Sequence, residues 1–106
     1  MAKITIDGRE LEFVANAATP IRYKQVFHGD LMRIAQDTEH ADYYEMVTQL
    51  AYILNRQGEG KGFSGASVDD FCDWLDGFSS MAFVEAADDI VSVWTDSQKT
   101  KSTPKK

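Results

Sequence analysis

Lysine and arginine are missing from the whole stretch between Gly62 and Gln98. A body so short of cations repels a phosphate backbone, so no binding to nucleic acid is expected. Cysteine is nearly absent too. Cys72 stands alone, which excludes an internal disulfide and any thiolate-rich metal site. Set among Phe71, Trp74 and Leu75, it reads as a small buried hydrophobe and not as a nucleophile. No apolar run approaches the roughly 20 residues that a membrane span needs. The opening Met-Ala-Lys-Ile-Thr-Ile-Asp lacks the apolar core of a signal peptide, so a cytoplasmic protein without a membrane partner is expected. His28 and His40 fall on different expected elements without a flanking ligand pattern, and read as surface or capping residues. Gly58, Gly60 and Gly62 alternate, but no six-residue glycine fingerprint and no Gly-Lys-Ser/Thr accompanies them, so they form a connector and not a phosphate cradle. No serine sits in a nucleophile elbow, and no cysteine–histidine or acid-pair arrangement is visible. The expectation is a protein that is not an enzyme, with no catalytic residues, no metal and no cofactor.

What is present is the composition of one folded domain. The chain has 106 residues, 43% of them hydrophobic and 11% aromatic, enough for a single modest core. The folded part is expected over residues 1–97, followed by a disordered basic tail over 98–106. Residues 1–98 carry 7 bases against 17 acids, a formal charge of −10, because Lys99, Lys101, Lys105 and Lys106 all lie in the tail. An acidic body fits a basic protein partner, and it equally fits a plainly solvated, solubilising face.

The first 32 residues hold the densest pattern. Asp7-Gly8 lies between two alternating runs, and both residues tolerate positive φ, which predicts a two-residue hairpin turn. That turn sets Ile4 against Leu11 and Ile6 against Arg9, with Lys3–Glu12 and Thr5–Glu10 pairs on the opposite, charged face. Thr19-Pro20 then predicts a helix start, with the threonine hydroxyl as cap and proline at the first helical position, and a helix from about Pro20 to His28 broken by Gly29. Asp30 can cap a further short turn through Leu31, Met32, Ile34 and Ala35. This order of hairpin, Ala-Ala-Thr-Pro, and a helix ending near Phe-His-Gly-Asp-Leu resembles the tail assembly chaperones of long-tailed bacteriophages, in the form met in prophages of Gram-positive bacteria. The likeness is close over residues 3–32 and looser beyond.

Further on, the spacing of Tyr44, Val47, Leu50, Ala51 and Leu54, widened by Tyr43, Met46 and Ile53, predicts a central helix over roughly His40–Gln57. Arg56 suits its C-terminal end. Residues 58–66 form the main loop, where Phe63 is free to dock on the body or on a partner. Ser67 caps the next helix, with Asp69 and Asp70 matched to its dipole and a core stripe of Val68, Phe71, Cys72, Leu75 and Phe78. A last helix from about Ser79 or Ser80 to Trp94 places Val84, Ala87, Val91 and Trp94 on one face, beside Phe83 and Ile90, with a polar, disordered run expected from Thr95. Asp69, Asp73 and Asp76 share a helix face without calcium-loop spacing. The aromatics of the acidic half outnumber what a small core absorbs, so Phe63, Asp70, Asp73, Trp74, Phe78 and Trp94 are candidate partner-binding residues. Trp74, in particular, either stands exposed among carboxylates, ready for an amphipathic helix carrying Lys or Arg, or caps the core.

The fold expected is α+β: an N-terminal antiparallel hairpin packed on a small bundle of four to five helices. The resemblance implies a non-enzymatic assembly factor in the cytoplasm of the bacterial host, absent from the mature virion. Such a factor binds the tape-measure protein and helps to recruit tail-tube subunits; a homo-oligomer is compatible. It also implies a longer product made by ribosomal −1 frameshifting, for which Pro104-Lys105-Lys106 can be encoded as CCA-AAA-AAG, containing the slippery heptamer A-AAA-AAG. The alternative is an acidic phage-encoded DNA mimic or adaptor that binds a basic host or phage protein.

Overall fold

The computed structural model describes residues 2–31 and 43–98. Strands β1 (Ala2–Ile6) and β2 (Arg9–Phe13) form an antiparallel pair, followed by helices α1 (Thr19–Phe27), α2 (Tyr43–Gly58), α3 (Val68–Leu75), α4 (Ala82–Glu85) and α5 (Ala87–Ser97). The fold is α+β, as the patterning predicts. The segment between Leu31 and α2, with the turn and cap expected there, lies outside the described residues, as does the basic tail beyond residue 98.

The hairpin has the expected register: Lys3↔Glu12, Ile4↔Leu11, Thr5↔Glu10 and Ile6↔Arg9. Asp7 and Gly8 both take positive φ, 58° and 80°, the twist that a two-residue turn needs to match the strands. Ile4, Ile6, Leu11 and Phe13 are buried on one face. The turn is pinned from outside, since Ser79 donates its backbone N–H to Asp7 Oδ2 at 2.9 Å and the Arg9 guanidinium lies 4.4 Å from the Phe78 ring centroid.

Helix α1 starts differently from expectation. Thr19 is its first residue and is fully buried, and its hydroxyl caps nothing within the helix. Thr19 Oγ1 instead accepts from the Asn16 backbone N–H (3.0 Å) and from Gln57 Nε2 (2.9 Å), while Asn16 Oδ1 accepts from the Ala18 N–H (2.9 Å). Asn16 and Thr19 thus bond each other's turn ahead of the helix, whose N-cap, Ala18, has no side-chain cap, and Thr19 also ties the helix to α2. The helix ends at His28, which takes the left-handed conformation (φ 63°) one residue before the glycine expected to break it.

Helix α2 is the central element. Met46, Val47, Leu50, Ala51, Ile53 and Leu54 are buried in it, and it packs on β2, α1, α3, α4 and α5. Its C-terminal end closes over the free edge of β2. Val14 N–H donates to Leu54 O (3.1 Å), Asn55 Nδ2 to Glu12 O (2.9 Å) and Gln57 Nε2 to Val14 O (2.7 Å). At Gly58 the two backbones touch so closely that a Cβ would lie 2.5 Å from Glu12 O. Two positions depart from the expected stripe: Tyr44 is exposed, its hydroxyl donating to Ser80 O (2.8 Å), and Tyr52 takes the buried place.

The expected last helix is two helices, hinged at Ala86 (φ −95°, ψ 1°). The break rotates the faces, so Phe83, Ala87, Ile90 and Trp94 are buried while Val84 is exposed. Helix α5 also continues past Thr95 to Ser97, whose hydroxyl donates to Trp94 O (2.6 Å).

A candidate partner-binding surface

Helix α3 presents two opposed faces. Ser67 caps it, accepting from the Asp70 N–H at 3.1 Å, and Asp69 and Asp70 occupy the first turn as the dipole favours. Asp69, Cys72, Asp73 and Asp76 follow the i, i+3, i+4, i+7 spacing of one stripe, and all four are exposed. Cys72 therefore belongs to the solvent face, correcting the buried reading. Its aromatic neighbours in sequence point the other way, toward the body.

That inner face meets a polar hub. Asp70 Oδ2 accepts from the Tyr52 hydroxyl (2.5 Å) and from Arg56 Nη1 (3.0 Å). Burial, reinforced by the bond to Asp70, pushes the Tyr52 phenol up to about 12. The Arg56 guanidinium also donates from Nε to Gly62 O (3.1 Å) and from Nη2 to the same carbonyl, which fastens the loop after α2. Phe63 in that loop is half-buried, with Arg22 at 4.6 Å and Arg56 at 5.5 Å from its ring centroid. Of its two open destinations, Phe63 takes the body.

A chain of ring contacts runs on from the hub. Phe27, Tyr52 and Phe71 meet edge to face, Tyr52 touches Trp74 at 5.7 Å, and Trp74 packs on Phe78 (5.3 Å) and Phe83 (5.4 Å). Trp74 thus has three ring neighbours and caps the core. Phe78 is half-buried beneath Arg9. Trp94, 4% exposed, lies in the core and has no surface to offer a partner. The structure therefore brings Phe63, Asp70, Trp74 and Phe78 into one internal network, sets Trp94 apart from it, and leaves Asp73 as the candidate freely facing solvent.

Other apolar side chains are exposed, Ile21 of α1 the most so at 61%. Val68 (52%), Met81 (57%), Val84 (46%) and Tyr44 (43%) stand out from the acidic half or beside it. The sequence pattern assigns Val68, Val84 and Tyr44 to core stripes. Val68 instead is the first residue of α3 and is exposed, and Val84 is turned outward by the hinge at Ala86. Met81 and Val84 are one turn apart, and the Tyr44 hydroxyl is bonded to the carbonyl of Ser80, the residue before Met81. Glu85 follows directly, in a stretch of sequence without Lys or Arg from Gly62 to Gln98.

Among the described residues no group of three or more His, Cys, Asp or Glu is placed to hold a metal ion, and no helix is long and apolar enough to cross a membrane. Comparison with protein-family models, with curated proteins and with solved structures finds no match to this chain.

Proposed function

We propose that this protein is a non-enzymatic phage tail assembly chaperone, which binds the tape-measure protein and helps to recruit tail-tube subunits in the cytoplasm of the bacterial host. The observation that carries the mode of binding is the exposure of Met81 and Val84, one turn apart, and of Tyr44, bonded at the neighbouring Ser80, beside a stretch without Lys or Arg from residue 62 to 98. Such a patch fits an amphipathic helix whose apolar stripe is flanked by Lys or Arg, and the acidic surround keeps the complex soluble. The kind of partner rests on the resemblance of residues 3–32. On this reading Trp74 and Trp94 hold the chaperone together, and contact with the client is made by the outward residues.

The test is co-expression with the tape-measure protein encoded just downstream, followed by pull-down and a solubility assay. Co-purification with rescued solubility supports the proposal, and Met81→Asp with Val84→Asp should abolish it without lowering Tm, since both side chains are exposed. Failure with both this chain and a frameshifted longer form present refutes it. Mass spectrometry of purified virions should find the protein absent. A second reading, an acidic DNA mimic, draws on the carboxylate stripe of Asp69, Asp73 and Asp76; it requires that Asp73→Asn weaken binding to a basic host protein while Val84→Asp does not.

A further inference from the structure

The two edges of the hairpin are treated differently. With a two-residue turn closing the Ile6–Arg9 pair, hydrogen-bonded pairs fall at Ile6–Arg9, Ile4–Leu11 and Ala2–Phe13. The backbone groups of Glu10 and Glu12 therefore point out from β2, and those of Lys3 and Thr5 point out from β1. The β2 edge is closed by the end of α2, where Glu12 O accepts from Asn55 Nδ2. Helix α5 packs against β1, but the β1 edge has no such bonds. Among the described residues no backbone or side-chain donor or acceptor is bonded to the outward N–H and C=O groups of Lys3 and Thr5, and both residues are exposed. No proline and no bulge interrupts the strand, and its one charge, Lys3, is paired across the hairpin with Glu12.

We propose that this edge pairs with the β1 strand of a second copy of the chain, joining two hairpins into a four-stranded antiparallel sheet. The residues select one register. Setting Ile4 opposite Ile4 of the second copy overlaps all five residues of each strand and pairs Lys3 with Thr5 of the second copy twice over, by symmetry. Each such pair exchanges both backbone hydrogen bonds. On the core side the seam is wholly apolar, with Ala2 opposite Ile6 of the second copy and Ile4 meeting its own equivalent. On the solvent side each Lys3 has Glu12 of its own chain on one flank and an uncharged threonine on the other. A slip of two residues one way sets lysine against lysine. A slip the other way draws in Asp7, whose φ of 58° belongs to the turn and not to a strand.

Sedimentation equilibrium of the full chain tests this, over about 10 µM to about 1 mM, the range in which contacts of a few strand hydrogen bonds assemble. The expected result is a mass rising from 11.9 kDa toward twice that value. Thr5→Lys is the discriminating variant. Within one chain the new lysine faces Glu10 favourably, whereas across the seam it faces Lys3 of the second copy. It should move the association midpoint about tenfold or more to higher concentration, with Tm unchanged or raised. Thr5→Pro removes the outward N–H and should do the same, since proline is tolerated where a strand's N–H faces outward. A wild-type chain that stays monomeric throughout leaves the edge to a strand of another protein and overturns the self-pairing. A dimer that neither variant weakens overturns it equally.

Discussion

Replacing Gly58 by alanine should destabilise the protein, although the same change near the end of an ordinary helix stabilises it. Alanine gains up to about 1 kcal/mol over glycine in helix propensity. Here, however, its Cβ would lie 2.5 Å from Glu12 O, 2.6 Å from Glu12 C and 2.9 Å from Phe13 N. Ordinary contact begins near 3.4 Å, so the end of α2 must move off β2 by about 0.9 Å. Neither side can yield by turning a side chain, because both are backbone. The movement strains the three bonds joining residues 54, 55 and 57 to residues 12 and 14, each worth about 1 kcal/mol, and opens space beside the fully buried Phe13. The loss of about 3 kcal/mol, less the propensity gain, leaves about 2 kcal/mol, or a Tm about 10 °C lower for a domain of this size. Urea unfolding followed by circular dichroism measures it. Gly65→Ala, where nothing lies within 4 Å of the added Cβ, is the control and should change stability by less than about 0.5 kcal/mol. If Gly58→Ala is as stable as the parent, the close approach of α2 to β2 is wrong.

Three further outcomes follow from the polar hub and the α3 stripe. Arg56→Ala should cost about 1–2 kcal/mol, discounted for the part-exposed Asp70, and should speed tryptic cleavage after Lys61, because the loop loses both bonds at Gly62 O; an unchanged cleavage rate would show that Arg56 does not hold the loop. Tyr52, raised from 10.0 to about 12, contributes stability that is complete below pH 10 and is lost as pH climbs through 12, about 2–3 kcal/mol in all. Burial, reinforced by Glu45, raises the Tyr23 phenol as well, so the alkaline limb steepens, and Tyr52→Phe should flatten it in a pH series of unfolding curves. Cys72 should react with a thiol reagent in the native protein as fast as in urea; protection in the native state would return it to the interior.

Where residues act through their immediate neighbours, the sequence was sufficient. The Asp7-Gly8 turn determines the pairing of ten strand residues, and Ser67 needs only the Asp70 amide three positions on. Reading failed where a side chain is claimed from far along the chain. Thr19 looks like a cap until Gln57, 38 residues later, recruits its hydroxyl. Tyr44 and Tyr52 stand eight apart on one helix, and only the arrival of Asp70 and of Ser80 decides which is buried. Cys72 is a different case, because the spacing of Asp69, Asp73 and Asp76 already marks its side of the helix as polar. The outward patch at Met81 and Val84 depends on the hinge at Ala86, where a run of alanine and valine carries no helix-breaking residue to announce it.

The clasp between residues 54–58 and 12–14 also governs when this protein can fold as it is made. The hairpin is synthesised before the helices that cover it, but two strands of five residues are marginal alone. Its edge and its apolar face find their cover in α2, about forty residues later, and Asp7 finds Ser79 later still. Closing loops of that length is slow beside local helix formation. A growing chain therefore carries an unfinished hairpin until α2 has been synthesised, and only then can the two close together.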